Sequence, residues 1–154
     1  MKNLKLQIAI MPNCEAAMKQ VFLDILADYC YRFNVLPTER KVTISICTPE
    51  YFTDDSPTGT TFISDDGTKI LIQVRDPYMS GWEDSPWVDT QFLNVLCHEI
   101  IHACQHLTGR EGFSMGNATY DKKDPIESYY FEKQEVEARA LADFYRHVYA
   151  HILK

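Results

Sequence analysis

The stretch from residue 91 to residue 107 constrains this chain more than any other. Phe92, Val95, Leu96, Ile100 and Ile101 recur at the spacing of a helix with one buried face. Three ionisable residues, His98, Glu99 and His102, stand inside the same run. Asp89 or Thr90 is placed to cap the helix, and Gly109 to end it. The fold has to pack this helix against a core and still leave its polar residues free for chemistry.

The remaining elements follow from local patterns. Leu4, Leu6, Ile8 and Ile10 alternate, which predicts a short strand over 4–10. Ala17, Val21, Leu23 or Ile25, Leu26, Tyr29, Cys30 and Phe33 recur at helical spacing over 15–33, and Asn34 and Pro37 end that run. Val42, Ile44 and Ile46 share one face of a strand closed by Pro49. Residues 60–64 and 69–75 flank Asp65-Asp66-Gly67 and predict a hairpin. Residues 109–126 read as a polar loop and 128–152 as a last helix. The expected fold is α+β in a single domain, 1–154. A small mixed or antiparallel sheet packs with an N-terminal helix, the 91–107 helix and a C-terminal helix.

Composition narrows the function. The chain has 154 residues, 45% of them apolar, enough for a core without staples. A formal net charge of −7 repels phosphate backbones and argues against general nucleic-acid binding; Lys122-Lys123 reads as a solvated pair. No run of about 18 apolar residues offers a membrane span. The opening MKNLKLQIAI lacks the apolar stretch and cleavage site of a secretory signal, so a cytoplasmic location is expected. Cys14, Cys30, Cys47, Cys97 and Cys104 include no C-x-x-C pair and are expected as reduced thiols.

His98 and His102 are spaced to share a helix face, with Cβ atoms about 6 Å apart. Two imidazoles so placed can meet one zinc ion. Glu99 stands beside them as a carboxylate able to take the proton of a water that the metal acidifies. A catalytic zinc usually has three protein ligands. His106 lies two turns from His98, about 12 Å along the axis, too far to share the ion. Gln105 stands where a metzincin would carry its turn glycine. The last helix offers Glu135 and Glu137, with Glu132 a remote third candidate. Glu135 and Glu137 diverge by about 200°, so only one can face the metal. The apolar stripe of Leu141, Phe144, Tyr145, Val148 and Ile152 lies nearer the face of Glu137.

His98-Glu99-Ile100-Ile101-His102, followed later by Glu135-Val136-Glu137-Ala138, resembles the gluzincin-type zinc metallopeptidases, especially their compact ImmA/IrrE-like versions. The likeness covers residues 92–107 and 132–148. It implies a zincin-like fold with Glu135 as third ligand and Ala138 admitting close helix packing. It also implies hydrolysis of a protein or peptide substrate with Glu99 as general base, and a regulatory protein partner would suit such a compact enzyme. Many members carry an acid or amide where this chain has Arg139, and Asp143 is the candidate to orient a ligand histidine instead. Tyr120, Tyr129, Tyr130, Tyr145 and His147 are candidate oxyanion donors. The strand at 69–75 is the candidate cleft edge. The segment GWEDSPW (81–87) is either a cleft rim or a packed anchor. A rival expectation is a binding protein that keeps the zinc site with little turnover.

Overall fold

The structure, a computed structural model, describes residues 5–9, 15–38, 40–47, 59–75, 88–109 and 133–149. They form β1 (Lys5–Ala9), α1 (Glu15–Phe33), β2 (Lys41–Cys47), β3 (Gly59–Ile63), β4 (Lys69–Arg75), α2 (Val88–Thr108) and α3 (Lys133–Val148). The α+β expectation holds. One mixed sheet runs in the order β1-β2-β4-β3. β1, β2 and β4 are parallel neighbours, and β3 is antiparallel to β4.

The helix ends follow the signals in the sequence. Asn34 takes a left-handed conformation with φ 52°. Its N–H donates to Tyr31 O at 3.4 Å, and that of Val35 to Cys30 O at 3.0 Å. These bonds satisfy the terminal carbonyls of α1. Gly109, at φ 59°, ends α2 in a related way, donating to His106 O at 3.3 Å. Thr38 then clamps the two helices. Its backbone N–H and hydroxyl both donate to Leu107 O, at 2.7 and 2.8 Å. At its other end the described part of α2 begins at Val88, with Asp89 and Thr90 in its first turn.

The predicted β3–β4 hairpin forms around Asp66 and Gly67. Gly67 has φ 71°, where a Cβ would be strained. The Asp66 carboxylate accepts from Ser64 Oγ at 2.6 Å and from the Thr68 N–H at 3.0 Å. Those bonds hold its carboxyl well below the usual range.

One core joins the layers. Val42, Ile44, Ile70, Ile72 and Val74 meet Val21, Phe22, Ile25, Leu26 and Tyr29 of α1, and Leu96, Cys97, Ile100, Ile101, Cys104 and Leu107 of α2. Phe22, which the spacing did not single out, is fully buried.

α3 departs from expectation. Its inner face takes in only part of the apolar stripe, Tyr145 and the partly buried Leu141. Gln134, Glu135, Ala138, Ala142 and Tyr145 are buried, while Phe144 and Val148 are exposed. The helix turns its polar first turn inward because α2 presents polar groups there. Ala138 and Ala142, both without exposed surface, let the two helices approach closely. Of the expected 128–152 helix, residues 128–132 and 150–152 lie outside the described residues, as do 81–87. No described helix is long and apolar enough to cross a membrane.

Candidate metal centre

His98 and His102 project from α2 with their rings edge to face, centroids 4.8 Å apart. Their Nε2 atoms approach to 3.1 Å. Glu135, in the first turn of α3, reaches across to both. Its Oε2 lies 3.0 Å from His98 Nε2, and its Oε1 2.8 Å from His102 Nε2. The candidate ligand atoms of these three residues all lie within 4.8 Å of one another, and the group can hold a metal ion.

The chemistry of the donor set fits a cation. Glu135 only accepts hydrogen bonds, and a neutral imidazole nitrogen facing it either donates or accepts. Two ring nitrogens and a carboxylate crowded together need positive charge between them, from protons or from a metal. A four-coordinate zinc with bonds of about 2.0–2.1 Å spaces its ligand atoms by roughly 3.3 Å. The observed separations of 2.8–3.1 Å are close to that.

Glu137 faces elsewhere. Its Oε1 accepts from Tyr29 Oη at 2.6 Å and from Gln105 Nε2 at 3.3 Å. Of the two glutamates left open by the residue pattern, the structure brings Glu135 to the histidines.

Glu99 is 7% exposed and is held by β3. Thr61 Oγ1 lies 2.5 Å from its Oε2 and 3.1 Å from its backbone carbonyl. Gly59 precedes Thr61 by two residues, so both face α2 from one side of the strand. A Cβ on Gly59 would lie 2.5 Å from Val95 Cγ1 and 3.0 Å from Glu99 Cγ. The missing side chain is what lets β3 come this close to α2.

Charges in the site are strongly coupled. Burial pushes the Glu99 carboxyl up, and His102 and the Thr61 hydroxyl only partly offset it. Burial disfavours charge on His102, but the hydrogen bond and field of Glu135 outweigh this and raise its pKa. Burial would also raise Glu135, yet its two histidine partners hold it well below the usual carboxylate range. Perturbed groups gathered in one place mark a candidate functional site.

Several expectations need correction. The strand at 69–75 is not the sheet edge; β4 lies between β2 and β3, and among the described residues β3 is the edge strand beside Glu99. Strand order depends on tertiary pairing, which local alternation does not encode. Asp143 does not orient a histidine. It is 66% exposed and pairs with Arg146 at 2.7 Å. Gln105 fills that role, its Oε1 2.8 Å from His102 Nδ1. Tyr145 is turned toward α1, where its hydroxyl donates to Asp28. His147 is exposed in the last turn of α3, about 18 Å along the axis from Glu135. Tyr120, Tyr129 and Tyr130 lie outside the described residues.

Other expectations hold. His106 is outside the ligand group and makes a backbone hydrogen bond with Gly67. Cys97 is a buried free thiol in the core.

No family model, no curated protein and no solved structure matches this chain. The reading of the site therefore rests on its own residues.

Sequence reasoning missed Thr61, Gly59 and the orienting role of Gln105. Gln105 carried a signal: it lies three residues after His102, on the same helix face. Thr61 and Gly59 carried none, because their partners are remote in sequence.

Proposed function

We propose that the protein is a zinc-dependent metallopeptidase of zincin-like fold, with His98, His102 and Glu135 as metal ligands and Glu99 as general base. The observation that carries this reading is the meeting of a two-histidine, one-carboxylate group with a separate buried carboxylate one residue along α2. Three ligands leave a coordination position open, as catalytic zinc sites require.

Zinc, when bound, polarises a carbonyl and lowers the pKa of water toward neutrality. Glu99 accepts the water proton and hands it to the leaving amine. Thr61 holds one oxygen of Glu99 and leaves the other for the water. Among the described residues β3 is the strand at the sheet edge, and an extended peptide can pair along it by strand addition. Such pairing would carry the scissile bond past Glu99. The substrate class is accordingly a protein or peptide segment in extended form.

One observation favours a second reading, a metal-holding binding protein with little turnover. Of the expected oxyanion donors within the described residues, Tyr145 is engaged by Asp28 and His147 is remote from the ligands.

Elemental analysis of protein purified without added metal tests the centre. About one zinc per chain is expected, and Glu135→Ala should lose it. Cleavage of an unfolded protein such as casein, abolished in Glu99→Gln while zinc is retained, supports the peptidase. Stoichiometric zinc with no cleavage would favour the binding protein, and a wild type that takes up no zinc would refute both.

A further inference from the structure

We infer that β3 fixes the register of a bound extended peptide, and that Phe62 selects an apolar side chain at one position of it. This rests on the reading of β3 as the substrate edge beside Glu99.

The register follows from the pairing of β3 with β4. The Ser64 N–H donates to Lys69 O at 3.0 Å. In an antiparallel ladder, hydrogen-bonded pairs alternate with pairs that share no hydrogen bond. Phe62–Leu71 and Thr60–Gln73 are therefore bonded pairs, and Ile63–Ile70 and Thr61–Ile72 are not. The N–H and C=O groups of Thr61 and Ile63 thus point away from β4, to the side where no described strand lies. Those four groups are the ones an added strand bonds. Thr61 is also the residue whose hydroxyl meets Glu99, so peptide pairing and the general base share one residue.

The side chains divide between the two faces of the sheet. Thr61 and Ile72 lie on the helix side, where Ile72 is fully buried. Phe62 and Leu71 lie on the other. Phe62 is 51% exposed there, and with Leu71 and Thr43 it lines a groove of about 360 Å³. Thr43, Leu71 and Phe62 stand in one row across β2, β4 and β3. A peptide on β3 adds a fourth member to that row. Whichever way it runs, its residue opposite Phe62 sets a side chain beside the ring. An apolar side chain there covers the ring and extends the row, whereas a charged one gives up water without a partner. Residues opposite Thr61 and Ile63 project toward α2 instead. Selection by Phe62 is therefore confined to one position, next to the residue that pairs with Thr61.

The test selects a phage-displayed random peptide library on Glu99→Gln protein, so that bound peptides stay whole. The selected peptides should share one apolar position. On adding the tightest of them, the N–H groups of Thr61 and Ile63 should gain protection from hydrogen exchange. The N–H of Phe62, already donated to β4, should not change. Lysine at the shared position should weaken binding roughly fivefold, the upper worth of a cross-strand pair. In Phe62→Lys the apolar preference should disappear. A library that yields no binder, protection that leaves out Thr61 and Ile63, or a Phe62→Lys protein with the wild-type preference would overturn the inference. If that variant does not fold, the exchange pattern and the lysine peptide decide. Peptides selected as expected but left intact by the wild type would sink the peptidase reading and leave the register standing. Casein cut at the same sites by wild type and Phe62→Lys would overturn the inference and leave the peptidase standing.

Discussion

Thr61 Oγ1 donates to Glu99 Oε2 across 2.5 Å, joining the edge strand of the sheet to the carboxylate proposed as general base. Hydrogen bonds to charged groups contribute about 1.5–3 kcal/mol, equivalent to roughly one to two powers of ten in rate. Thr61→Val should therefore bind zinc as the wild type does and cleave peptide about 10–100-fold more slowly, with kcat rather than KM carrying the loss. Thr61→Ser, which keeps the hydroxyl, should recover most of the rate. Steady-state kinetics alongside metal analysis checks both, and a loss in Thr61→Ser without one in Thr61→Val would show that the methyl, not the hydroxyl, matters.

Gly59→Ala should destabilise the protein. Val95 is β-branched and held on a helix, so its χ1 has little freedom to move Cγ1 out of the way of a new methyl 2.5 Å distant. Overpacking of this kind costs about 1–3 kcal/mol. Urea melts should show that loss, and Val95→Ala in the same chain should return part of it. An unshifted midpoint for Gly59→Ala would mean that β3 is less tightly set against α2 than the geometry shows.

The metal-free protein should lose stability as pH rises above neutrality. His102 has a folded pKa above its unfolded value, about 6.5, because Glu135 favours the charged ring. Its contribution is full below the unfolded value and disappears as pH rises through the folded one. Glu99, raised by burial, acts in the same direction, its contribution being lost as pH rises above the ordinary carboxylate range. Glu135 has the opposite sign: its depressed pKa stabilises above about pH 4.5 and the benefit is lost on acidification. Thermal melts of chelator-treated protein should give a lower Tm near pH 9 than near pH 6, and Glu135→Ala should flatten that difference. Zinc should also abolish it, since the metal supplies the positive charge that the proton otherwise brings.

Cys97 and Cys104 should resist alkylation in the native protein. Burial pushes the Cys97 thiol up to about 12 and holds Cys104 well above the ordinary thiol value. Thiolate is the reactive form, so at pH 8 both should stay unmodified by iodoacetamide and label fully in denaturant. Peptide mass mapping reads the two sites individually. Rapid native labelling of Cys97 would show that the inner face of α2 opens to solvent.

The helices and strands, the α1 and α2 stops, the Asp66-Gly67 turn and the pairing of His98 with His102 were all legible in the sequence. Each is a short-range property. Backbone geometry alone sets which residues share a helix face or a strand side, and capping chemistry acts within a turn. The sequence also offered two leading candidates for a third ligand, Glu135 and Glu137, two residues apart. Only docking of α3 on α2 chose between them, sending Glu135 to the histidines and Glu137 to Tyr29 and Gln105. The same docking buried Glu135 and left Phe144 in solvent, against the apolar pattern of that helix. Sheet order was equally hidden: placing β4 inside and β3 at the edge brought Thr61 to Glu99, 38 residues away. Contacts at that separation depend on how whole elements pack, and local periodicity does not encode them.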